Sequence, residues 1–194
     1  MQLQTSITLS LNELLPKAEF FDSGSQLHGR MHVARVIIHG LRLIRMTGDE
    51  DLEIPLWAAI YTHDLGRTHD GYCVEHGQWS TKKMRGSADI RGILGRGGLR
   101  EEQMEMVETA VIQHCLQAEL SPAHSHYRLT ALLKDADALD RVRLGDGDLK
   151  PSYLRHTQAH ALIPCATALY HASTALRQDD PELMSRVWAL AQEV

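Results

Sequence analysis

The amino-acid sequence predicts an all-α fold, a single-domain helical bundle. Apolar residues recur at helical spacing, as in the run through Val33, Val36, Ile37, Leu41 and Ile44. No stretch alternates apolar and polar residues over the length of a β-strand. The chain has 194 residues, of which 43% are hydrophobic, and this is enough for one well-buried core. We therefore expect one domain over residues 1–194.

Helix-breaking residues predict where the first three helices begin and end. The apolar stripe places the first long helix at about 28–46, and Gly48 follows it as a stop. Pro55 favours the first position of a second helix, which ends near Gly66. A third helix is expected over about 76–91.

A loop and a fourth helix follow. A flexible loop is expected at the next glycines, which are Gly92, Gly95, Gly97 and Gly98. Glu101 and Glu102 then favour the start of a helix, because acidic side chains stabilise its positive N-terminal end. That helix has an inward apolar stripe, which His114 continues, and it ends before Pro122.

The C-terminal half predicts three more helical segments. One covers about 127–142. A long segment of about 152–177 follows, interrupted or kinked at Pro164. Asp180, followed by a proline, predicts the cap of a last helix that runs to the C-terminus. The first 27 residues show the weakest pattern.

Composition and charge limit which kinds of partner and which cellular compartment are expected for this chain. The chain has 20 Lys and Arg against 25 Asp and Glu, a formal charge of −5, which argues against binding to duplex nucleic acid. No apolar run reaches the ~18 residues of a membrane span, and the N-terminus lacks a signal-peptide pattern. Cys73, Cys115 and Cys165 form no Cys-x-x-Cys pair, so a disulfide scaffold is not expected. We expect a cytoplasmic protein without a membrane partner, and a homodimer stays open.

An ionisable pair, His63-Asp64, lies at the end of the apolar second helix. Burying such a pair is costly unless it has partners, and imidazole with carboxylate suits a divalent transition metal. The alternative is an aspartate that caps the helix beside a hydrogen-bonded core histidine. His32 lies beside the stripe of the first helix, and Asp137 points near the core. A bundle core can assemble ligands of this kind from facing helices.

Three segments occur in the order His, His-Asp, Asp. They are His32, residues 62–67 (THDLGR) and residues 134–140 (KDADALD). This order is similar to the H…HD…D pattern of the HD-domain superfamily of metal-dependent phosphohydrolases, and residues 70–77 also look like a little-characterised bacterial branch of it. The resemblance implies an HD-type bundle with a metal-site core at about 28–143 and C-terminal helices of about 152–194 packing on it. The ligands of one metal that it implies are His32, His63, Asp64 and Asp137.

A second metal ion would draw on two further histidines. Binuclear members of the superfamily carry two His between the His-Asp pair and the last Asp, and here the candidates are His76 and His114. Asp64 would then bridge the two ions. The alternative is that His114 does not bind metal and is a core histidine hydrogen-bonded to a backbone carbonyl. The expected cofactor is one or two divalent ions of Mn, Fe, Zn or Ni.

The resemblance implies hydrolysis of a phosphoester or phosphoanhydride, in a nucleotide or another small phosphorylated metabolite, by a metal-activated water. The cations expected to bind the phosphate, each of which could instead be a surface charge, are Arg67, Lys83 and Lys134. Asp64, Arg67 and Lys83 are the expected catalytic residues. Asp135 and Asp140 could orient the metal ligands. A metal-binding sensor without turnover and di-iron oxygenase chemistry are the alternatives.

Overall fold

The computed structural model describes residues 3–145 and 147–194. Over those ranges the regular secondary structure is entirely helical, so the all-α prediction is confirmed. None of the helices described is long and apolar enough to cross a membrane. The α-helices are α1 (Arg30–Thr47), α2 (Glu53–Thr62), α3 (His76–Gly86), α4 (Ala88–Arg96), α5 (Met104–His114), α6 (Tyr127–Leu139), α7 (Thr157–Ser173) and α8 (Leu183–Glu193).

Helix α1 is the axis of the bundle. It packs against α2, α6, α7 and α8, and every residue from Met31 to Ile44 is buried. A helix covered on all sides is usually apolar all round, yet α1 buries His32, Arg35 and His39. Unpaired buried polar groups are costly, so these side chains need partners inside the protein. Helix α1 therefore supplies the core and also a polar interior.

The segment predicted as one helix over 76–91 forms two helices, α3 and α4. The break falls at Ser87, whose backbone is extended. Its hydroxyl accepts a hydrogen bond from the N–H of Ile90 and so caps α4. The local signal for this break is Gly86-Ser87, a glycine followed by a residue that can cap a helix.

The prediction of a flexible loop at the four glycines is wrong for Gly92 and Gly95, which lie inside α4. The buried side chains of Ile90 and Leu94 anchor this helix to the core, and their packing outweighs the low helix propensity of glycine. The chain turns only after α4, where Gly98 has a φ of +105° that favours glycine.

Three features of the C-terminal helices also differ from the prediction. Helix α6 ends early and continues as a 3-10 helix, Asp140–Leu144. Helix α7 runs through Pro164 without interruption, and this proline is exposed, so water can satisfy the carbonyl that it leaves unpaired. Helix α8 begins late, at Leu183, because the Asp180 carboxylate accepts the N–H of Glu182 in a turn instead of capping the helix.

The N-terminal segment closes one side of the core. It contains two 3-10 helices, Leu11–Leu14 and Ala18–Phe20. Leu14 and Leu15 are buried, and the indole N–H of Trp57 in α2 donates to the Leu14 carbonyl at 3.0 Å. The segment thus holds α2 in place.

The turn that follows α2 passes very close to α3 at Gly66. The Gly66 N–H donates to the Ser80 hydroxyl at 2.9 Å, and that hydroxyl donates to the His63 carbonyl at 2.8 Å. A Cβ on Gly66 would lie 2.5 Å from the Ser80 nitrogen. The lack of a side chain at Gly66 therefore sets the distance between the His63-Asp64 turn and α3.

Gly66→Ala is expected to lower the free energy of unfolding by about 1–3 kcal/mol, because the added methyl group overlaps the α3 backbone. Gly95→Ala is the matched control: nothing lies within 4 Å of a Cβ there. Replacing this helical glycine should stabilise the protein by up to about 1 kcal/mol. Urea unfolding of both variants measures the difference, and a Gly66→Ala variant as stable as the wild type would contradict the close approach.

Candidate metal centre

Helices α1, α3, α5 and α6 and the turn after α2 bring six ionisable side chains to one point in the core. These are the ligands predicted from the sequence, namely His32, His63, Asp64, His76, His114 and Asp137. The side chains of the first five are at most 3% exposed, whereas Asp137 is 29% exposed. The group is therefore a buried polar cluster that opens towards solvent on the α6 side.

A first group of ligand atoms surrounds the Nε2 atom of His32. This atom lies 3.2 Å from Nε2 of His63 and 3.6 Å from Oδ2 of Asp64. Oδ1 of Asp137 is also 3.2 Å from it. Neighbouring ligands that hold one ion at about 2.1 Å are about 3.0–3.4 Å apart in octahedral or tetrahedral geometry. One ligand atom from each of His32, His63 and Asp64 lies within 4.8 Å of the other two, so these three side chains could hold a cation, with Asp137 beside His32.

A second group faces the other carboxylate oxygen of Asp64. Oδ1 of Asp64 lies 3.3 Å from Nε2 of His76 and 4.0 Å from Nε2 of His114. The two Nε2 atoms are 2.9 Å apart. Cys115 joins this group, because its ligand atom and one from each of the two histidines all lie within 4.8 Å of one another. Asp64 has one oxygen at each group, as a carboxylate that bridges two ions would.

Backbone carbonyls fix the orientation of three of the histidine rings. Each Nδ1 lies 2.5–2.7 Å from the carbonyl oxygen three residues earlier, that of Ile60 for His63, Cys73 for His76 and Val111 for His114. A neutral imidazole has one N–H, and these carbonyls can only accept, so the Nε2 atom of each ring carries a bare lone pair. Metal-binding histidines are oriented in this way. Two bare nitrogens in contact repel each other unless a cation lies between them.

Burial and charge make the cluster attractive to a cation. Burial lowers the pKa of His63 and lowers the pKa of His114 to about 3. Burial alone would raise the pKa of Asp64, but the surrounding histidines, His63 foremost, hold it well below its usual value. The pKa of Asp137 is also lowered, because its hydrogen bond to His32 outweighs burial. Two ionised carboxylates therefore lie within the cluster.

His32 is oriented by a carboxylate. Its Nδ1 donates to Oδ2 of Asp140 at 2.7 Å, and the Arg35 Nε donates to the other oxygen at 2.5 Å. Burial lowers the pKa of His32, but its hydrogen bonds to Asp137 and Asp140 outweigh this and raise it. Asp140 therefore fits the orienting role expected from the sequence.

Asp135 has a different set of partners. Its buried carboxylate accepts the backbone N–H groups of Arg155 and His156, the Arg155 guanidinium and the His156 Nδ1–H. These bonds hold the segment before α7 against α6. Asp135 stabilises the fold here and does not orient a metal ligand, so the expectation for this residue is corrected.

Two adjoining cavities give access to the cluster. The inner cavity has a volume of about 200 Å³ and is lined by Asp64, by Asp137 and by three arginines, Arg67, Arg141 and Arg143. The outer cavity has a volume of about 620 Å³ and shares lining residues with the inner one, among them Asp137 and Arg141. A small anionic molecule that enters would meet guanidinium groups beside the metal ligands.

Arg67 is the predicted phosphate-binding cation that lies at the centre. Its Nε is 3.4 Å from Oδ1 of Asp64, and its Nη1 donates to the His69 and Gly71 carbonyls at 3.1 and 2.8 Å. These bonds fix the guanidinium at the inner cavity.

The two lysines lie farther from the cluster. Lys83 pairs with Asp22 and is not among the residues that line either cavity. The structure thus does not bring Lys83 to the phosphate position expected from its place on α3. Lys134 lines the outer cavity, where its buried ammonium donates to the Ala118 carbonyl and to Glu119 at 3.0 and 2.9 Å.

Sequence reasoning missed two groups that the structure adds to the centre. His28 lines the inner cavity, and its Nδ1 lies 2.9 Å from the Asp70 carboxylate. Cys115 contributes a thiol to the second group, and burial raises its pKa. His28 lies four residues before His32, a spacing that could have drawn attention to it. The contact with Asp70 depends on the folded loop and has no local signal.

Comparison with family models, curated proteins and solved structures finds no match to this chain. The centre is therefore identified by its own geometry and by the residue pattern.

Asp64→Asn is expected to weaken binding of both ions, because Asp64 supplies negative charge to both groups. Asp137→Asn should weaken only the ion at the first group. Equilibrium dialysis against Mn²⁺, followed by elemental analysis, counts the ions per chain. Asp22→Asn, which alters an exposed carboxylate, is the control and should bind as the wild type does. Full occupancy of both positions in Asp64→Asn would contradict the bridging role.

Proposed function

We propose that the protein is a metal-dependent phosphohydrolase that cleaves a phosphoester or phosphoanhydride of a nucleotide or another small phosphorylated metabolite. The observation that carries this proposal is that a cluster suited to cations adjoins a cavity suited to anions. The cluster is arranged around the two oxygens of Asp64, and the cavity beside it is lined by Arg67, Arg141 and Arg143. A phosphoryl group needs both, since cations stabilise its charge and arginines bind its oxygens.

The ligands would divide between two ions. His32, His63 and Asp137 would hold one ion, His76 and His114 the other, and Asp64 both. When bound there, divalent cations would supply positive charge for the phosphoryl oxygens and lower the pKa of a water molecule towards neutral. Phosphoryl transfer of this kind needs positioning and charge neutralisation and does not need a protein nucleophile.

The arginines are positioned before any substrate arrives. Arg67 is fixed by Asp64 and the turn at Gly71. Arg143 donates to the carbonyls of Leu27 and Asp140 at 2.8 and 3.1 Å. Donors that are fixed in advance stabilise charge developing in the transition state without a reorganisation cost. Both guanidiniums can therefore bind the equatorial oxygens of the transferred group.

His28 is placed to protonate the leaving oxygen. Asp70 binds its Nδ1, which leaves Nε2 for the inner cavity. The pKa of His28 is lowered, chiefly by burial, while the Asp64 and Asp70 carboxylates favour its protonated form. Its imidazolium is therefore a stronger acid than a free one and can pass the Nε2 proton to a departing alkoxide.

The outer cavity supports a nucleotide in particular. Tyr72 and Tyr153, which are 78% and 45% exposed, both line it. Exposed aromatic rings beside a phosphate-binding site can stack on a base, and the volume of about 620 Å³ lies in the range of pockets for small molecules.

Arg67→Ala is expected to leave the metal content unchanged and to lower kcat for a phosphoester by about 10²–10³, the usual loss for a donor that acts on transition-state charge. Phosphate release from a panel of nucleotides with added Mn²⁺ provides the assay. Arg100→Ala removes an exposed arginine paired with Glu102 and should behave as the wild type. A metal-loaded wild type that is inactive on every phosphoester would contradict the proposed function.

His28→Ala should slow the reaction according to the leaving group. With a nucleoside monophosphate the alkoxide leaves poorly, and kcat should fall by about 10²-fold. With 4-nitrophenyl phosphate the leaving group needs no proton, so the loss should be much smaller. His160→Ala, at an exposed position on α7, is the control. An equal loss on both substrates would show that His28 is not the proton donor.

A further inference from the structure

Cys115 lies directly after His114 and adds sulfur to a cluster otherwise made of nitrogen and oxygen. Ligand atoms of His76, His114 and Cys115 lie within 4.8 Å of one another. Cys115 also lines both cavities. None of the roles described above uses this thiol.

Burial raises the pKa of this thiol, and the first turn of α3 is a neighbour that opposes this effect. A Cβ on Gly77 would lie only 3.1 Å from the Cys115 Sγ, so the first turn of α3 lies directly against it. The first N–H groups of a helix have no partner within the helix and carry partial positive charge, which favours a thiolate. The thiol donates to the Val74 carbonyl at 3.1 Å.

A second observation at the same place points to a cation. The Nε2 atoms of His76 and His114, both on side chains only 3% exposed, face each other at 2.9 Å. Oδ1 of Asp64 lies 3.3 and 4.0 Å from these two nitrogens, and the sulfur of Cys115 belongs to the same group as both histidines, so two imidazoles, one carboxylate oxygen and one thiol meet here. This is a donor set that tetrahedral Zn²⁺ accepts.

We propose that Cys115 is a thiolate ligand of the second metal position, which therefore prefers a thiophilic cation such as Zn²⁺ over Mn²⁺. The first position, around His32, has only nitrogen and oxygen ligands and lacks this preference. The two positions are then chemically unequal. This inference rests on the two-ion centre of the proposed function but does not depend on hydrolysis.

Cobalt spectroscopy tests the ligand directly. The full-length protein is stripped of metal and titrated with Co²⁺, which takes zinc positions and gives a near-ultraviolet charge-transfer band only when a thiolate binds it. The wild type should show this band. Cys115→Ser should lose it, although the serine hydroxyl can still donate to the Val74 carbonyl. Cys73→Ser, which changes another thiol of the inner cavity, should keep it.

Competition between metals gives the second measurement. Cys115→Ser should weaken Zn²⁺ binding at the second position by at least about tenfold and change Mn²⁺ binding much less, because only the soft cation gains from sulfur. Two bound Co²⁺ ions without the band, or a band that survives in Cys115→Ser, would overturn the proposal. Failure to bind any Co²⁺ would overturn the two-ion centre as well. The band without phosphate release would leave the thiolate ligand standing and reject only the hydrolase.

Discussion

The arrangement of this protein depends on nitrogen and oxygen atoms that are buried facing one another in its core. His63, His76 and His114 each hold Nδ1 against a backbone carbonyl, and the ionised carboxylates of Asp64 and Asp137 lie among the rings. Such a cluster is unfavourable in a low-dielectric interior unless positive charge occupies it. The helices hold the cluster together because backbone carbonyls bind the Nδ1 atoms of these three histidines and so fix the orientation of each ring.

The same requirement explains the layout of the helices. Helix α1 is buried all round, so the carboxylate that orients His32 must come from a neighbour, and the 3-10 helix after α6 supplies Asp140. The close approach at Gly66 brings α3 against the His63-Asp64 turn. Each contact brings a ligand from one helix to within about 4 Å of a ligand from another. Fold and centre are therefore specified by the same packing.

The sequence predicted the helical class and the residues of the buried cluster because both have local signals. Apolar periodicity locates α1 and α2, and the ordered His and Asp residues locate the members of the cluster. The Ser87 cap between α3 and α4 was not predicted, because a glycine or a serine is also tolerated inside a helix. Three features were not predicted because they depend on which loops meet in the folded chain. They are the contact of His28 with Asp70, the pairing of Lys83 with Asp22 and the position of Cys115.

Anomalous diffraction from crystals grown with Co²⁺ tests the central claim most directly. Two anomalous peaks are expected, one among His32, His63 and Asp137 and the other beside His76 and His114, with one oxygen of Asp64 at each. The absence of a peak, or histidine rings rotated so that their Nε2 atoms bind protein groups, would contradict it. A single peak at the first position would reject the bridging role of Asp64.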